Sequence, residues 1–371
     1  MPAFALYRLP YQQHCQMVMQ SSGQPLELSS VFALSGQQGF VIAPFTPDES
    51  HPILLLSADV SVQTDPEAWL PDGQSEYAGL REQAEEILLS SQQDSAVCGT
   101  KSHYEIDFAN FHSQILAGQF SKIVLARCSH VPNEDGKNPF ALFVKACHCY
   151  PRLMVALVAA PRCGAWLVAS PELLLGGDGT TWTTMSLAGT MRLSDELLSF
   201  DEPPTQVIHH DEKIRWNIKN IQEQRFVSTY ITECLEQVAS DIEEYGPYTM
   251  RAGNLVHLRS DFRFTIADTA RLGELLHILY PTPAVCGLPK DAAREFIRRN
   301  EYAPRDYYSG FMGILNPEAD TCLYVSLRCM RINRDGFSLY AGGGLLPDSK
   351  METEWSETED KMETMKALIC S

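Results

Sequence analysis

The chain has 371 residues, 44% of them hydrophobic and 20% charged, a composition typical of a globular protein of one to three domains. Its formal net charge of −18 argues against a surface for nucleic acid or anionic membranes, because such surfaces need clustered lysine and arginine. No apolar run of about 20 residues is present and the first residues lack a signal-peptide pattern, so a cytoplasmic protein without a membrane partner is expected.

The first hundred residues contain short β-like runs broken by Gly, Pro and Ser, at residues 6–8, 39–43 and 53–58. A helical pattern near 77–90 follows, and the polar segment 91–102 is typical of a surface connection. No catalytic constellation is visible in this part. We therefore predict that residues 1–102 form a β-rich N-terminal part of the fold that residues 103–371 complete.

The middle of the chain favours antiparallel strands. A helix predicted at 107–117 leads into a strand at 122–127, with Lys122 at its entry, and a helix at 139–149 follows. Two strand-like runs, 153–160 and 165–169, precede a hairpin signal at 176–179 that returns the chain towards Gly189 and Thr190. Strands that follow one another through tight turns pair antiparallel. The acidic segment 195–206 is predicted to be a mobile loop.

Helices and strands continue to alternate after this loop. The pattern predicts a helix over 213–238, a strand over 255–265, and helices over 271–280 and 291–300. The prolines and the glycine of 281–290 force that segment out of regular structure. The eleven cysteines have irregular spacings and several lie in apolar runs, which indicates buried reduced thiols rather than a disulfide framework.

The last eighty residues carry the strongest chemical pattern. Alternation over 323–329 predicts a strand that carries Arg328, and 333–336 reads as a hairpin turn. The next strand runs into three glycines, 342–344, which we interpret as a turn that exposes backbone N–H groups to a ligand. A helix capped by Ser349 would then place Glu354, Glu357 and Lys361 on one face. A cation beside a donor-rich backbone suits an organic carboxylate.

Several motifs, in this order, resemble those of the chorismate-binding enzymes: KIVLAR (122–127), ASPELLL (169–175), SLAGT (186–190), PTPAVCGLPK (281–290), SLRCMRI (326–332), YAGGG (340–344) and EWSETEDK (354–361). The resemblance covers about residues 103 to 370. Within that family the chain looks like an isochorismate synthase of the menaquinone or siderophore type. The resemblance implies an α+β fold in which two mainly antiparallel sheets pack face to face with helices outside. It also implies a site in the cleft between the sheets.

Carried over position by position, the resemblance implies a role for thirteen residues. Lys122 is implied as general base and Glu172 as general acid. Glu223 and Glu357 are implied as Mg²⁺ ligands, with Glu354 as a supporting carboxylate. The residues implied to hold the substrate, chorismate, are Gly189, Thr190, His257, Ala284, Arg328, Tyr340, Gly342 and Lys361.

The chain departs from the family around Glu223. The family usually reads S-x-K-D-x-x-E-H, whereas this chain has Asn217-x-Lys219-Asn220-x-x-Glu223-Gln224. The metal ligand is kept. The resemblance does not fix the hydrogen bond of its neighbour, Gln224.

The chemistry of the implied reaction agrees with these residue types. Exchanging a ring hydroxyl for water at another ring position needs a base for the incoming water and an acid for the departing hydroxyl. A lysine serves as base near neutral pH when burial or a nearby cation lowers its pKa, and a carboxyl serves as acid when desolvation keeps it protonated. A chain of charge −18 binds dianionic chorismate only with local compensation, from Arg328, Lys361 and Mg²⁺.

Alternative functions stay open at this point. Salicylate synthases share the lysine and add pyruvate elimination to the same first step. Anthranilate and aminodeoxychorismate synthases use ammonia and commonly lack the lysine at position 122. A non-catalytic protein that binds a small anion would need neither Lys122 nor Glu172. The sequence does not separate a monomer from a homodimer.

Overall fold

The structure is a computed structural model that describes residues 2–71, 76–192, 215–252 and 255–370. The segment 195–206, predicted to be a mobile loop, lies outside the described residues. The helices are α1 Ala78–Ser91, α2 Lys101–Leu116, α3 Pro139–Cys149, α4 Ile218–Leu235, α5 Leu272–Leu279, α6 Lys290–Asn300 and α7 Met351–Ile369. No described helix is both long and apolar enough to span a membrane.

The described residues also form eighteen strands. They are β1 Ala3–Arg8, β2 Cys15–Gln20, β3 Leu26–Leu28, β4 Gly39–Ala43, β5 Ile53–Leu56, β6 Val60–Thr64, β7 Lys122–Pro132, β8 Met154–Ala160, β9 Gly164–Ser170, β10 Leu173–Gly177, β11 Trp182–Arg192, β12 Ala239–Ala252, β13 Leu255–Ile266, β14 Gly287–Leu288, β15 Phe311–Leu315, β16 Thr321–Val325, β17 Cys329–Ile332 and β18 Gly336–Leu345.

The strands form two sheets of nine, and neighbouring strands pair antiparallel throughout the described residues. Sheet I has the order β14-β7-β18-β17-β9-β8-β1-β2-β6, and sheet II has the order β12-β13-β11-β10-β16-β15-β4-β5-β3. Strands from the first hundred residues enter both sheets. The predicted α+β architecture of two antiparallel sheets is confirmed.

Side-chain alternation explains why the sheets pack face to face. On β8, Ala156 and Val158 point into a core shared with Phe40 and Ile42 of sheet II. Residues between them, such as Leu157, point to the opposite face, where α1, α3 and α7 pack. The outer face of sheet II is covered in the same way by α4 and α5. Both faces of the central strands are therefore buried, in four layers, as in a sandwich with outer helices.

Two of the points at which the chain crosses between the sheets are neighbours in space. The chain leaves sheet I after β9 and enters sheet II at β10, and Glu172 lies at this crossing. It returns from β16 to β17, and Arg328 lies at that crossing. The crossings are joined by hydrogen bonds from Val325 N to the Glu172 carbonyl at 2.9 Å and from Ala169 N to the Arg328 carbonyl at 3.0 Å. Each crossing therefore places a charged side chain at the edge of the space between the sheets.

The structure contradicts several local predictions, of which three concern a strand, a helix cap and a pair of cysteines. Residues 323–329 are not one strand, because the chain changes sheet at Arg328, whose φ is +46°. Ser349 does not cap α7, which begins after Lys350; the Ser349 hydroxyl instead accepts a bond from Leu346 N. Cys98 and Cys128 form a disulfide of 2.07 Å, because the connection before α2 runs beside β7. The other nine cysteines are free, as predicted.

Candidate active site

A cleft opens beside the two crossings and has about 610 Å³ of empty space, counted out to its open mouth. Ten of the thirteen predicted site residues line it: Glu172, Gly189, Thr190, Glu223, His257, Ala284, Arg328, Tyr340, Gly342 and Lys361. The remaining three, Lys122, Glu354 and Glu357, lie directly behind this lining, as the contacts below show. The motifs named from the sequence thus converge on one place although they are spread over about two thirds of the chain.

Lys122, the first residue of β7, is completely buried. Its Nζ lies 3.0 Å from Glu223 Oε1, close enough for an ion pair although not in hydrogen-bonding geometry. Burying one of these charges without the other would be strongly destabilising. The pair therefore holds a basic side chain in the interior, directly behind the cleft residue Glu223.

Glu172 is 2% exposed and faces the same cleft. Burial raises the pKa of its carboxyl from 4.5 to about 7, an effect that a hydrogen bond from Thr282 and the charges of Lys122 and Lys361 partly offset. The Thr282 hydroxyl donates to Glu172 Oε1 at 3.3 Å. A carboxyl with this pKa carries a proton in a large fraction of molecules near neutral pH, as a general acid must.

Three glutamates, Glu223 on α4 and Glu354 and Glu357 on α7, are each paired with a lysine. Glu223 pairs with Lys122, Glu354 with Lys219, and Glu357 with Lys361 at 2.7 Å. Although burial acts to raise it, the pKa of Glu223 is lowered because Lys122, Lys219 and Lys361 surround the carboxylate. Each of the three carboxylates is thus compensated by a cation.

Lys219 is close enough to interact with all three carboxylates. Burial acts to lower its pKa, but Glu354, Glu357 and Glu223 together raise it above the usual value. No group of three His, Cys, Asp or Glu side chains in the described part of the chain is arranged closely enough to hold a metal ion. The donor set nevertheless fits a hard divalent cation, since three carboxylates already gather around one positive charge and Mg²⁺ prefers oxygen ligands.

We predicted that the three glycines 342–344 form a turn. They lie instead in β18 and pair with Ala126, Leu125 and Val124 of β7. Their contribution is the lack of a side chain. A Cβ at Gly344 would lie 2.2 Å from Glu223 Oε1 and 2.7 Å from Lys122 Cε. Glycine at this position therefore leaves the space that the Lys122–Glu223 pair occupies.

A chain of hydrogen bonds orients Arg328. Burial, followed by the charges of Arg328 and Lys361, lowers the pKa of His257 far below its usual value, so the imidazole is neutral. Its Nδ1 lies 3.0 Å from the Gly189 carbonyl, which can only accept, so Nδ1 carries the proton. Nε2 is then the acceptor for Arg328 Nη2 at 2.9 Å. The tautomer of His257 thus fixes the direction of the guanidinium.

The cations of the cleft are arranged for an anionic ligand. Burial lowers the pKa of Arg328 to about 10, which still leaves it charged at neutral pH. Lys361 donates to the Gly342 carbonyl at 2.8 Å, which holds its ammonium at the cleft wall. A protein with a net charge of −18 thus presents two cations, Arg328 and Lys361, to this cleft.

Sequence reasoning missed two residues of the site. Tyr308 lines the cleft and stacks on Tyr340 with ring centroids 5.4 Å apart, but it lies in an irregular segment between α6 and β15 with no periodic signal. Thr282 lies in a quoted motif, yet its contact with Glu172 crosses 110 residues of sequence. A threonine hydroxyl next to a buried carboxyl can be recognised only in three dimensions.

Comparisons with known proteins agree with this geometry. A family profile described as "Chorismate binding enzyme" matches residues 42–370. The isochorismate synthase MenF of Escherichia coli (strain K12) is 31% identical over 260 residues, which cover 69% of this chain and 57% of that protein. The isochorismate synthase EntC of the same organism is 27% identical over 250 residues, 67% of this chain and 62% of that protein. The chain therefore spans less than two thirds of the length of these curated relatives.

A solved structure shows the same fold. It is a putative 2,3-dihydroxybenzoate-specific isochorismate synthase, DhbC, from Bacillus anthracis, with a TM-score of 0.74 at 19% identity. The match covers 98% of this chain and 95% of that chain.

Proposed function

The chain belongs to the chorismate-binding enzyme family, and from this premise we propose that it converts chorismate into isochorismate. In this reaction water adds to one position of the ring and the hydroxyl at another position leaves as water. The observation that carries the proposal is the presence of a buried lysine and a buried, readily protonated glutamate at one cleft. Binding an anion alone would require neither.

Substrate binding is explained by the cations of the cleft. Chorismate carries two carboxylates, and the Arg328 guanidinium can form paired hydrogen bonds with one of them. Lys361 supplies a second positive charge at the same wall. Tyr308 and Tyr340 provide an apolar surface for the ring. These contacts hold the reacting ring positions in a fixed orientation, which is itself a large part of catalysis.

The proton transfers are assigned to the two buried groups. Lys122 Nζ accepts a proton from the attacking water, and Glu172 donates a proton to the departing hydroxyl. Glu172 is in the form that its transfer requires in a large fraction of molecules, since burial keeps it partly protonated near neutral pH. Thr282 orients the Glu172 carboxyl through its hydroxyl.

We assign Glu223, Glu354 and Glu357 as the residues that would hold Mg²⁺. When bound, the ion would stabilise negative charge on the substrate. Lysines compensate the charge of these carboxylates in the fold. Of these lysines, Lys219 lies among all three glutamates, so it is the cation whose position a metal would most affect.

Separation of the reaction products tests the proposal. Purified protein is incubated with chorismate and Mg²⁺, with and without ammonium, and the products are separated by chromatography. Isochorismate as the main product in both arms supports the proposal. Salicylate with pyruvate would instead identify a salicylate synthase, and anthranilate or aminodeoxychorismate in the ammonium arm an ammonia-using enzyme. No turnover in any arm would leave only a binding protein.

The raised pKa of Glu172 predicts a pH dependence. The acid form is required, so kcat/KM is expected to fall as the pH rises through about 7. Thr282→Val removes a hydrogen bond that favours the charged form, so the pKa rises and the falling limb moves to higher pH. Glu172→Gln should lower activity and remove the limb. A falling limb that stays at the same pH in Glu172→Gln would exclude Glu172 as the acid.

Alanine at Gly344 tests the space that the catalytic lysine needs. The added methyl group would overlap Glu223 Oε1 and the end of Lys122, and a displacement of about 1 Å can cost roughly 10²-fold in rate. We expect Gly344→Ala to lower kcat by about that factor and to lower the melting temperature as well, because overpacking a buried site typically costs about 1–3 kcal/mol. The matched control is Gly79→Ala on α1, where the methyl group meets nothing within 4 Å. Parental kcat in Gly344→Ala would contradict the assigned geometry.

A further inference from the structure

Two amide side chains on α4 stand where the family pattern has an acid and a histidine. Asn220 and Gln224 lie one helical turn apart and therefore share a helix face. Both are buried, with exposures of 5% and 2%. Buried amides need hydrogen-bond partners, so their contacts show what this face holds.

The hydrogen-bond partners of both amides lie on β11, around Gly189. Gln224 Oε1 accepts from Ala188 N at 3.0 Å, and its Nε2 donates to the Ser186 hydroxyl at 2.7 Å. Asn220 Nδ2 donates to the Thr190 carbonyl at 3.3 Å. The two amides thus bind β11 on both sides of Gly189.

The backbone at this point needs such partners. The register between β11 and β13 shifts between Ala188 and Thr190, and Gly189 has a φ of +69°. A bulge of this kind leaves backbone groups without partners in the sheet. On the other side of β11, strand β10 pairs only with Trp182 and Thr183 in the described residues. Gln224 therefore takes the place of a neighbouring strand for Ala188.

The bulge in turn determines the orientation of Arg328, the arginine assigned to the substrate. The Gly189 carbonyl accepts from His257 Nδ1, and His257 Nε2 accepts from Arg328. A change in the bulge would move the carbonyl, and the imidazole and guanidinium would follow. Gln224 itself does not line the cleft. Its influence on the substrate therefore passes through Gly189, His257 and Arg328.

We propose that Gln224, assisted by Asn220, is a positioning residue that holds the Gly189 bulge and through it directs Arg328 at a substrate carboxylate. The inference rests on the proposed function, since it assigns Arg328 to a carboxylate of chorismate. It explains how this chain works with glutamine beside the metal ligand Glu223. One face of α4 then serves two purposes, because Glu223 belongs to the carboxylate cluster and Gln224 sets the carboxylate-binding arginine.

Gln224→Met tests the proposal, because methionine has a similar length and no hydrogen bonds. Loss of a buried hydrogen-bonded amide typically costs enough free energy for a change of roughly five- to a hundredfold. We expect KM for chorismate to rise within that range while kcat changes less than about threefold. Gln224→His, which keeps a donor and an acceptor, should recover part of the loss. The matched control is Gln222→Met, an exposed glutamine on the same helix, which should keep parental constants.

A double-mutant cycle separates positioning from a general loss of stability. If Gln224 acts through Arg328, the effect of Gln224→Met on KM should nearly vanish in an Arg328→Lys background. The reason is that lysine has no planar guanidinium for Gln224 to orient. Additive effects, or a loss confined to kcat, would overturn the inference. If Gln224→Met does not fold, the same cycle is measured with Gln224→His. Isochorismate formation by the parent and by Gln222→Met is measured first; its absence would overturn the proposed function and this inference together.

Discussion

Lys122→Gln is expected to lower kcat by about 10²- to 10⁴-fold, the usual contribution of a general base, with a much smaller change in KM. Glutamine keeps most of the side-chain length and a hydrogen-bond donor but has no basic nitrogen. Glu223 keeps Lys219 and Lys361 as neighbouring cations, so the carboxylate is not left uncompensated. The pH dependence of kcat is expected to change in the variant, because a basic group that takes part in the reaction has been removed.

Steady-state kinetics with a control lysine distinguishes the possible roles. Lys137→Gln changes a partly exposed lysine beyond the C-terminal end of β7 and should keep parental kinetic constants. If Lys122 only held the substrate, the change would appear mainly in KM. If it were only structural, the melting temperature would fall and the kinetic constants of the folded protein would not. A near-parental kcat with an unaltered pH profile would remove Lys122 from the mechanism.

Arg328→Ala is expected to raise KM for chorismate by about 10²-fold or more, because truncating one partner of a buried charge pair costs several kcal/mol, typically 2–5. The variant leaves a substrate carboxylate without its fork and His257 Nε2 without its donor. Arg328→Lys keeps the charge but not the planar fork, so it should recover only part of the affinity.

Initial rates over a wide range of chorismate concentrations measure this effect. Arg298→Ala, a change at an exposed arginine of α6, controls for loss of charge alone. Alanine keeps the positive φ of position 328 and its strain, so a change in KM reflects the lost guanidinium. An unchanged KM in Arg328→Ala would place the carboxylate elsewhere in the cleft.

Local sequence signals predicted helices and strands well where the apolar pattern was clear or a capping residue marked the end of a helix. Helix α3 has the predicted bounds because Asn138 accepts from the N–H groups of Phe140 and Ala141, and Pro139 stands at the first helical position. Strands β8 and β9 were predicted to within a residue by their continuous apolar runs. Strand β12, with its acidic residues and its irregular register against β13, was missed because its sequence has no apolar alternation.

The site was predictable in composition but not in arrangement. The motifs indicated which residues would lie together, because each motif could be matched to a motif of the family by its residue types. They did not indicate that Arg328 lies at a crossing between sheets, since the alternation of 323–329 continues through the crossing. Nor did they show that the glycines 342–344 belong to a strand, because glycine favours a turn when its neighbours across the sheet are unknown.

Contacts between distant segments account for the rest. Gln224 and Ser186 are 38 residues apart, and Lys122 and Glu223 are about a hundred apart. Such pairs depend on how sheet II and α4 pack against sheet I, which no local pattern encodes. Structure was needed to identify the compensation of each glutamate by a lysine.

The most direct test of the central claim, that water is the nucleophile at this cleft, is the reaction of the protein with chorismate and Mg²⁺ in ¹⁸O-labelled water. The account predicts isochorismate that carries one ¹⁸O atom, measured by mass spectrometry, with formation slowed by about 10²- to 10⁴-fold in Lys122→Gln. Isochorismate without the label, or label incorporation that Lys122→Gln leaves unchanged, would contradict it.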